Sequence, residues 1–198
     1  MQIRVNSWNS RADLPTRERH SAGIIPLLDG LLGASGWGLK DLGAVGAGLG
    51  PGSFTGIRVG LAVARGLAFS LGIPLKGVSS FEALARGAGG EGRVAVLSDA
   101  RRGRIYGALY EKRSGILSML CPSACLSVAE AAALAASARI VTPHRERLSG
   151  LLGAPLQMEE AWPDALWIGR IAGERLMADP RDESSSALPL YLSAFGVR

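Results

Sequence analysis

Apolar side chains near the start of the chain recur with the period of an α-helix. The repeated positions are Ile24, Leu27, Leu28, Leu31 and Leu32. Their spacing of i, i+3, i+4, i+7 and i+8 places them on one face of a helix. The pattern predicts a helix over 21–33, with a proline in its first turns, where proline is tolerated.

A second apolar stretch predicts a buried strand, a sharp turn and a long helix. Residues 44–49 form the strand, Gly50-Pro51-Gly52 break it, and Ser53 or Thr55 caps a helix that ends near Leu71. An ordinary surface helix needs an apolar stripe of about 100°. The apolar arc of this helix is roughly twice as wide. We therefore expect it to be enclosed by its own fold or covered by another subunit, and the pattern leaves both open.

Downstream, short strands alternate with helices. The predicted strands are 75–78, 94–98, 105–110, 116–120, 139–142 and 156–158, and the predicted helices open at 79, 127 and 162. Ser79–Glu82 and Ser127–Glu130 have the spacing of capping boxes. This alternation predicts an α/β protein with mixed sheets. The glycine-rich segment 87–92 suggests two lobes, 1–90 and 91–198.

Composition excludes several classes of protein. The 198 residues include two cysteines and two histidines, and the net charge is +5. Two cysteines are too few for a disulfide framework, so we expect a cytoplasmic protein with free thiols. The isolated histidines make a histidine-based metal site improbable. We expect neither a signal peptide nor a membrane span.

The glycine turn before the long helix resembles an anion site, because a helix N-terminus presents unpaired N–H groups. It lacks the lysine of a P-loop, and its glycines at Gly50, Gly52 and Gly56 do not have the dinucleotide-binding spacing. A tight structural turn is therefore favoured over a phosphate site.

Charged residues suggest two further functions. Arg101, Arg102 and Arg104 lie close together, and with Arg145 they are candidates for direct contact with RNA, although most basic runs are solvated surface. A phosphotransferase needs an acid that positions Mg²⁺. Asp13 and Asp99 are the candidates, but Asp99 more simply anchors a hairpin turn.

Longer motifs resemble one family over roughly residues 17–198. The stretch GPGSFTGIRVGLAVARGLAFSLGIPLKGVSSFEALA, the segment Ser98-Asp99-Ala100-Arg101 through Tyr106, and the closing Pro189-Leu190-Tyr191-Leu192 are similar to the TsaB (YeaZ) family. Arg19-His20-Ser21, followed by the first apolar helix, also resembles that family. Members normally open with a hairpin carrying an I-D-T-[AS] element, which 1–15 lacks, so we expect a first lobe truncated at its N-terminus.

The resemblance implies a two-lobed actin/Hsp70-like (ASKHA) fold. It also implies a non-catalytic subunit of the machinery that makes threonylcarbamoyladenosine at position 37 of tRNA. Expected partners are a TsaD-like catalytic subunit, a TsaE-like ATPase, tRNA through the complex, and a second copy of the chain. We expect no catalytic residue, cofactor or metal in this subunit. An ASKHA-type phosphotransferase and a direct tRNA-binding protein are the alternatives.

The resemblance also assigns residues to sites. The family motif loop is Gly50, Pro51, Gly52, Ser53, Phe54, Thr55 and Gly56. The expected partner interface consists of Ile24, Leu28, Leu31, Arg58, Val59, Ala62, Arg65, Gly66 and Phe69.

Overall fold

A computed structural model describes residues 20–153 and 157–192, with side chains from residue 23 onward. Its helices are α1 (His20–Ala34), α2 (Phe54–Leu71), α3 (Ser80–Gly87), α4 (Val128–Ala135), α5 (Arg145–Leu152) and α6 (Ala165–Ala178). Its strands are β1 (Val45–Gly48), β2 (Leu75–Val78), β3 (Gly92–Arg101), β4 (Arg104–Arg113), β5 (Ile116–Leu126), β6 (Arg139–Thr142) and β7 (Met158–Glu160). A 3-10 turn covers Leu39–Asp41. The α/β class is therefore confirmed.

The chain forms two compact units. Of the described residues, unit 1 comprises 20–79 and 165–189, and unit 2 comprises 80–153, 157–164 and 190–192. These bounds differ from the predicted lobes, 1–90 and 91–198. The physical reason is that α6 packs on β1 and β2, which returns the chain to unit 1 after about eighty residues spent in unit 2.

Unit 1 is built on the parallel pair of β1 and β2. Val45 is aligned with Leu75, and Gly48 with Val78. Its core includes Leu61, Ala64 and Ala68 from α2. They pack with Leu75, Ala47 and Ala187. In the described part of the chain this sheet has two parallel strands, so the prediction of a mixed sheet in both lobes fits unit 2 only.

The outer edge of β2 is closed by a segment that follows α6. Asp182 Oδ1 accepts the N–H of Leu75 at 2.8 Å, and Glu183 Oε2 accepts the N–H of Gly77 at 3.1 Å. In return, the N–H of Glu183 donates to the carbonyl of Leu75. Side chains and backbone of this segment thus replace a third strand, which satisfies the hydrogen-bonding groups of the edge.

A buried ion pair fixes the same segment. The side chain of Lys76 is 1% exposed, and its Nζ lies 3.0 Å from Oε1 of Glu183, which is 35% exposed. Burial of the carboxylate raises its pKa, but the bonds from Gly77 and Lys76 outweigh that effect and leave the pKa of Glu183 below its ordinary value. The pKa of Asp182 is also lowered, chiefly by the backbone N–H of Leu75.

Unit 2 has a mixed five-stranded sheet in the order β5-β4-β3-β6-β7. The first three strands in sequence, β3 to β5, are antiparallel, whereas β3, β6 and β7 run parallel. Alternate residues of β3 enter two cores: Val94 and Val96 pack with α3, while Ala95 and Leu97 pack with residues of α4 and α5. The strand is continuously apolar because both of its faces are covered.

Most predicted elements are confirmed, including the hairpin of β3 and β4 and the capping box at Ser127. Helix α5 was not predicted, and the last helix begins at Ala165, three residues after Trp162. Of the two candidate N-caps of α2, Ser53 and Thr55, the structure shows Ser53, whose Oγ accepts the N–H of Gly56 at 3.2 Å.

Helix α2 also meets a length and composition criterion for crossing a membrane, with a mean hydropathy of 1.3 over its 18 residues. The criterion is weak evidence, because core helices of water-soluble proteins meet it too.

We predict that Glu183→Gln lowers the free energy of unfolding by about 2 kcal/mol at neutral pH. The buried Lys76 would lose its counter-charge, and partial exposure of Glu183 keeps the cost below the roughly 3–5 kcal/mol of a fully buried pair. Because the folded-state pKa of Glu183 is lowered, its contribution is present above the ordinary value of 4.5 and lost at lower pH.

Urea unfolding at pH 7 and at a series of pH values below 4.5 measures this effect. The stability gap between wild type and variant should narrow as the pH falls, and Lys76→Met/Glu183→Gln should recover part of the loss. A gap that stays constant with pH would show that the ion pair contributes nothing.

Candidate partner-binding face and arginine cluster

One side of α2 faces solvent in unit 1. Phe54, Arg58, Ala62, Gly66 and Phe69 are exposed residues, and Phe69 is 90% exposed. At 100° per residue these five positions fall within about 120° of one another on the helix. The helix is therefore buried on one side only, and its buried residues are Leu61, Ala64 and Ala68.

Two of these exposed residues contact each other. The guanidinium carbon of Arg58 lies 3.8 Å from the centroid of the Phe54 ring, which is cation–π geometry. A Cβ built at Gly66 would meet nothing within 4 Å, so the space beside this glycine is open. The surface is thus apolar, shallow and accessible to another backbone.

Helix α1 packs beside α2. Its predicted interface residues Ile24, Leu28 and Leu31 are half-buried within unit 1, and Leu32 is buried. The most exposed large apolar residue of α1 is Ile25, at 53%, which the periodicity did not single out. Ile25 was missed because it lies outside the regular i, i+3, i+4 pattern.

Two predicted interface residues of α2 are partly engaged within unit 1. Arg65 is half-buried, and its Nη2 donates to the carbonyl of Ala187 at 2.7 Å. Val59 is also half-buried. The exposed surface is therefore defined by Phe54, Arg58, Ala62, Gly66 and Phe69, and we call these five residues the α2 face.

The family motif loop forms a tight strand-to-helix turn. Gly50 has φ of +91°, and a Cβ there would lie 2.6 Å from Cδ1 of Ile57, so both its backbone and its surroundings require glycine. Gly50 and Pro51 are buried, whereas Gly52, Ser53 and Thr55 are exposed. The Oγ of Ser53 accepts one of the first N–H groups of α2, which is the capping role of a structural turn.

The second candidate site lies where β3 ends in unit 2. Oδ1 of Asp99 accepts the N–H of Arg101 at 2.8 Å, and Oδ2 accepts Nη1 of Arg147 at 2.8 Å. The Asp99 side chain is only 8% exposed. Both carboxylate oxygens are therefore occupied, and Asp99 anchors the hairpin as the sequence predicts.

The two arginines of the hairpin have an unusual backbone. Arg101 has φ of +69° and Arg102 has φ of +52°, values that favour glycine and are uncommon for other residues. Together with Gly103 and Arg147, they line an open cavity of about 320 Å³. Arg104 is aligned with Arg101 across the hairpin, but it is not among the residues that line the cavity, and its Nη2 donates to the carbonyl of Cys125.

His144, two residues after the end of the neighbouring strand β6, contacts Trp162. Nδ1 of His144 accepts the N–H of Asp99 at 3.2 Å, and its ring lies edge-on to Trp162 at 5.9 Å between centroids. Trp162 is 65% exposed. We call Arg101, Arg102, Arg147 and Trp162 the arginine cluster, and sequence reasoning had selected only the first two.

Other predicted residues do not form a site in the described part of the chain. Arg145 is exposed on the first turn of α5, and Asp13 lies outside the described residues. Within 20–153 and 157–192, no group of three histidine, cysteine, aspartate or glutamate side chains is placed to hold a metal ion.

Comparison with known proteins identifies relatives over most of the chain. Residues 15–154 match a family model described as TsaD, tRNA N6-adenosine threonylcarbamoyltransferase. The tRNA threonylcarbamoyladenosine biosynthesis protein TsaB of Escherichia coli K12 is 41% identical over 107 residues, which is 52% of this chain and 46% of the relative. The TsaB of Bacillus subtilis 168 is 38% identical over 54% of this chain and 47% of its own length. In sequence, then, the chain spans about half the length of the curated relatives it matches.

Solved structures extend the similarity. YeaZ from Pseudomonas aeruginosa has a TM-score of 0.76 and 29% identity, and the match covers 87% of this chain and 85% of that one. A crystal structure described as an uncharacterized protein with similarity to peptidase YeaZ, from the same organism, has a TM-score of 0.74 and 30% identity, covering 88% and 85% of the two chains. The fold is therefore of the actin-like ASKHA type. Within the family that the TsaD model describes, this chain belongs to the TsaB (YeaZ) group.

Proposed function

We propose that this chain is a non-catalytic subunit of the enzyme complex that makes threonylcarbamoyladenosine at position 37 of tRNA. Its family takes part in threonylcarbamoyladenosine biosynthesis. The finer proposal is that the chain binds a TsaD-like catalytic subunit through the α2 face and the adjoining part of α1. The observation that carries it is the exposed aromatic and small-residue surface of α2.

The chemistry of the α2 face supports a protein partner. An isolated exposed apolar residue needs no explanation, but several on one helix face form a patch of the kind that marks interaction sites. Phe69 projects almost fully into water, and the open space beside Gly66 permits close approach of a second helix. Arg58 stacked on Phe54 adds a cationic group at one end. Aromatic residues and arginine are enriched at the energetic centres of interfaces.

Occupation of Asp99 supports a non-catalytic role. A phosphotransferase in which Asp99 positions Mg²⁺ would need this carboxylate directed at the metal and not committed to contacts within the protein. Here one oxygen accepts a backbone N–H and the other accepts Arg147. We therefore assign Asp99 to the structure of the hairpin.

The remaining partners follow from the same proposal. A TsaE-like ATPase joins the complex, tRNA reaches it through the assembled subunits, and a second copy of the chain uses the α2 face when the TsaD-like subunit is missing. We place the complex in the cytoplasm.

We predict that Ala62→Glu weakens association with a TsaD-like partner at least tenfold, because a carboxylate would be buried unpaired in an apolar contact. Size-exclusion chromatography with light scattering measures complex formation, and calorimetry measures the Kd. Phe69→Ala tests the same surface without adding charge. Met177→Glu, at an exposed apolar position of α6, is the matched control and should bind like wild type.

Two results would contradict this assignment. If Ala62→Glu is insoluble while Phe69→Ala binds normally, the outer side of α2 belongs to the core of the folded chain. If both variants are folded and associate like wild type, another surface binds the partner.

We also predict that the isolated chain does not turn over ATP and does not modify tRNA, whereas its addition to a TsaD-like and a TsaE-like protein supports modification. Phosphate release and mass spectrometry of tRNA nucleosides measure the two activities. ATP hydrolysis by the chain alone that is abolished by Asp99→Ala would establish the phosphotransferase alternative instead.

A further inference from the structure

We propose that the arginine cluster of unit 2 binds the phosphate backbone of RNA, with Trp162 stacking on an unpaired base. This inference concerns the isolated chain. Only the choice of RNA among polyanions rests on the proposed function.

The cavity at the hairpin is lined by guanidinium groups. Arg101, Arg102 and Arg147 contribute three positive charges, and the buried Asp99 is the one acid among the lining residues. At 320 Å³ and open to solvent, the cavity has room for a phosphate group with its sugar attached. Planar guanidinium groups bind phosphate oxygens through paired hydrogen bonds, so this lining suits a phosphodiester.

The backbone conformation provides an independent argument. Arginine at positive φ costs free energy that glycine, asparagine or aspartate would avoid or reduce. Two consecutive arginines adopt such values here, and the next residue, Gly103, shows that the turn accommodates glycine. Residues held in unfavourable backbone regions cluster at functional sites. We therefore attribute the presence of arginine at both positions to a function of its side chain.

Asp99 acts as a positioning residue in this arrangement. It orients Arg147 through Oδ2 and holds the N–H of Arg101 through Oδ1, while its own side chain is buried. The guanidinium of Arg101 also lies 3.7 Å from Oδ2 of Asp99. One fixed carboxylate thus directs two arginines that are 69% and 56% exposed, and their remaining N–H groups are available to an anion.

An exposed aromatic ring is connected to Asp99 through His144. The N–H of Asp99 donates to His144, and His144 contacts the ring of Trp162 edge-on. This contact restrains the indole while the residue stays 65% exposed. Asp99 thus joins Arg147 on one side and, through His144, Trp162 on the other. Proteins that bind single-stranded RNA combine positively charged side chains with exposed aromatic rings on which unpaired bases stack.

The test measures binding of a short RNA hairpin with an unpaired loop to the full chain, by fluorescence anisotropy over a range of salt concentrations. We expect Arg147→Ala and Arg102→Gly each to weaken binding and to reduce the slope of log K against log salt by about one. Trp162→Ala should weaken binding at least about fivefold with an unchanged slope, because stacking releases no counterions.

Arg102→Gly separates binding from folding. Glycine adopts the observed φ without strain, so its melting temperature should equal or exceed that of wild type while RNA binding falls. Arg113→Ala is the matched charge control, because Arg113 is an exposed arginine at the other end of β4. It should bind RNA like wild type.

Several outcomes would overturn the inference. Equal losses for Arg113→Ala and Arg102→Gly would mean that binding follows net charge and uses no specific site. ATP that binds the cluster while the RNA hairpin does not would assign the cavity to free nucleotides. Absence of RNA binding, together with normal association with a TsaD-like partner, would refute the inference and leave the proposed function intact.

Discussion

Helix α2 has apolar side chains on two sides, and unit 1 buries only one of them. Leu61, Ala64 and Ala68 pack against the sheet, while Phe69 stands in water on the other side. Removing apolar surface from water contributes about 25 cal/mol per Å², so a fully exposed phenylalanine forgoes a substantial stabilisation. A partner that covers the α2 face would recover it. The assignment of a subunit role depends on this imbalance more than on any polar group.

The sequence predicted the elements of the fold well because hydrophobic period and turn residues agreed with each other. Helix α2, for example, has both a serine cap and a glycine C-cap at its ends. Helix α5 escaped prediction because it is short and polar, and of its eight residues only Leu148 is buried. The unit boundaries were not predicted correctly either. They depend on the packing of α6 on β1, which joins residues more than a hundred positions apart, and no local pattern encodes such a contact.

The candidate sites were predictable to different degrees. The α2 face follows from counting apolar positions around a helix, which uses information within 18 residues. The arginine cluster requires Arg147 to meet Asp99 from 48 residues away, and it requires a backbone conformation that arginine seldom adopts. Sequence spacing therefore found Arg101 and Arg102, together with Arg104, which is aligned with Arg101 in the hairpin but does not line the cavity. It gave no reason to select Arg147 or Trp162.

The two surfaces use interactions of different physical range, and this difference would suit the proposed subunit, which would join both a protein and an RNA. Apolar contact at the α2 face is short-ranged, because it stabilises a complex only once water has been excluded, and salt scarcely weakens it. Exposed arginines act over about a Debye length, roughly 8 Å at physiological ionic strength, so they attract a polyanion before contact and release it readily. Stable assembly with a protein and reversible engagement of RNA would then come from separate residues, each in its own unit, and neither requirement would compromise the other.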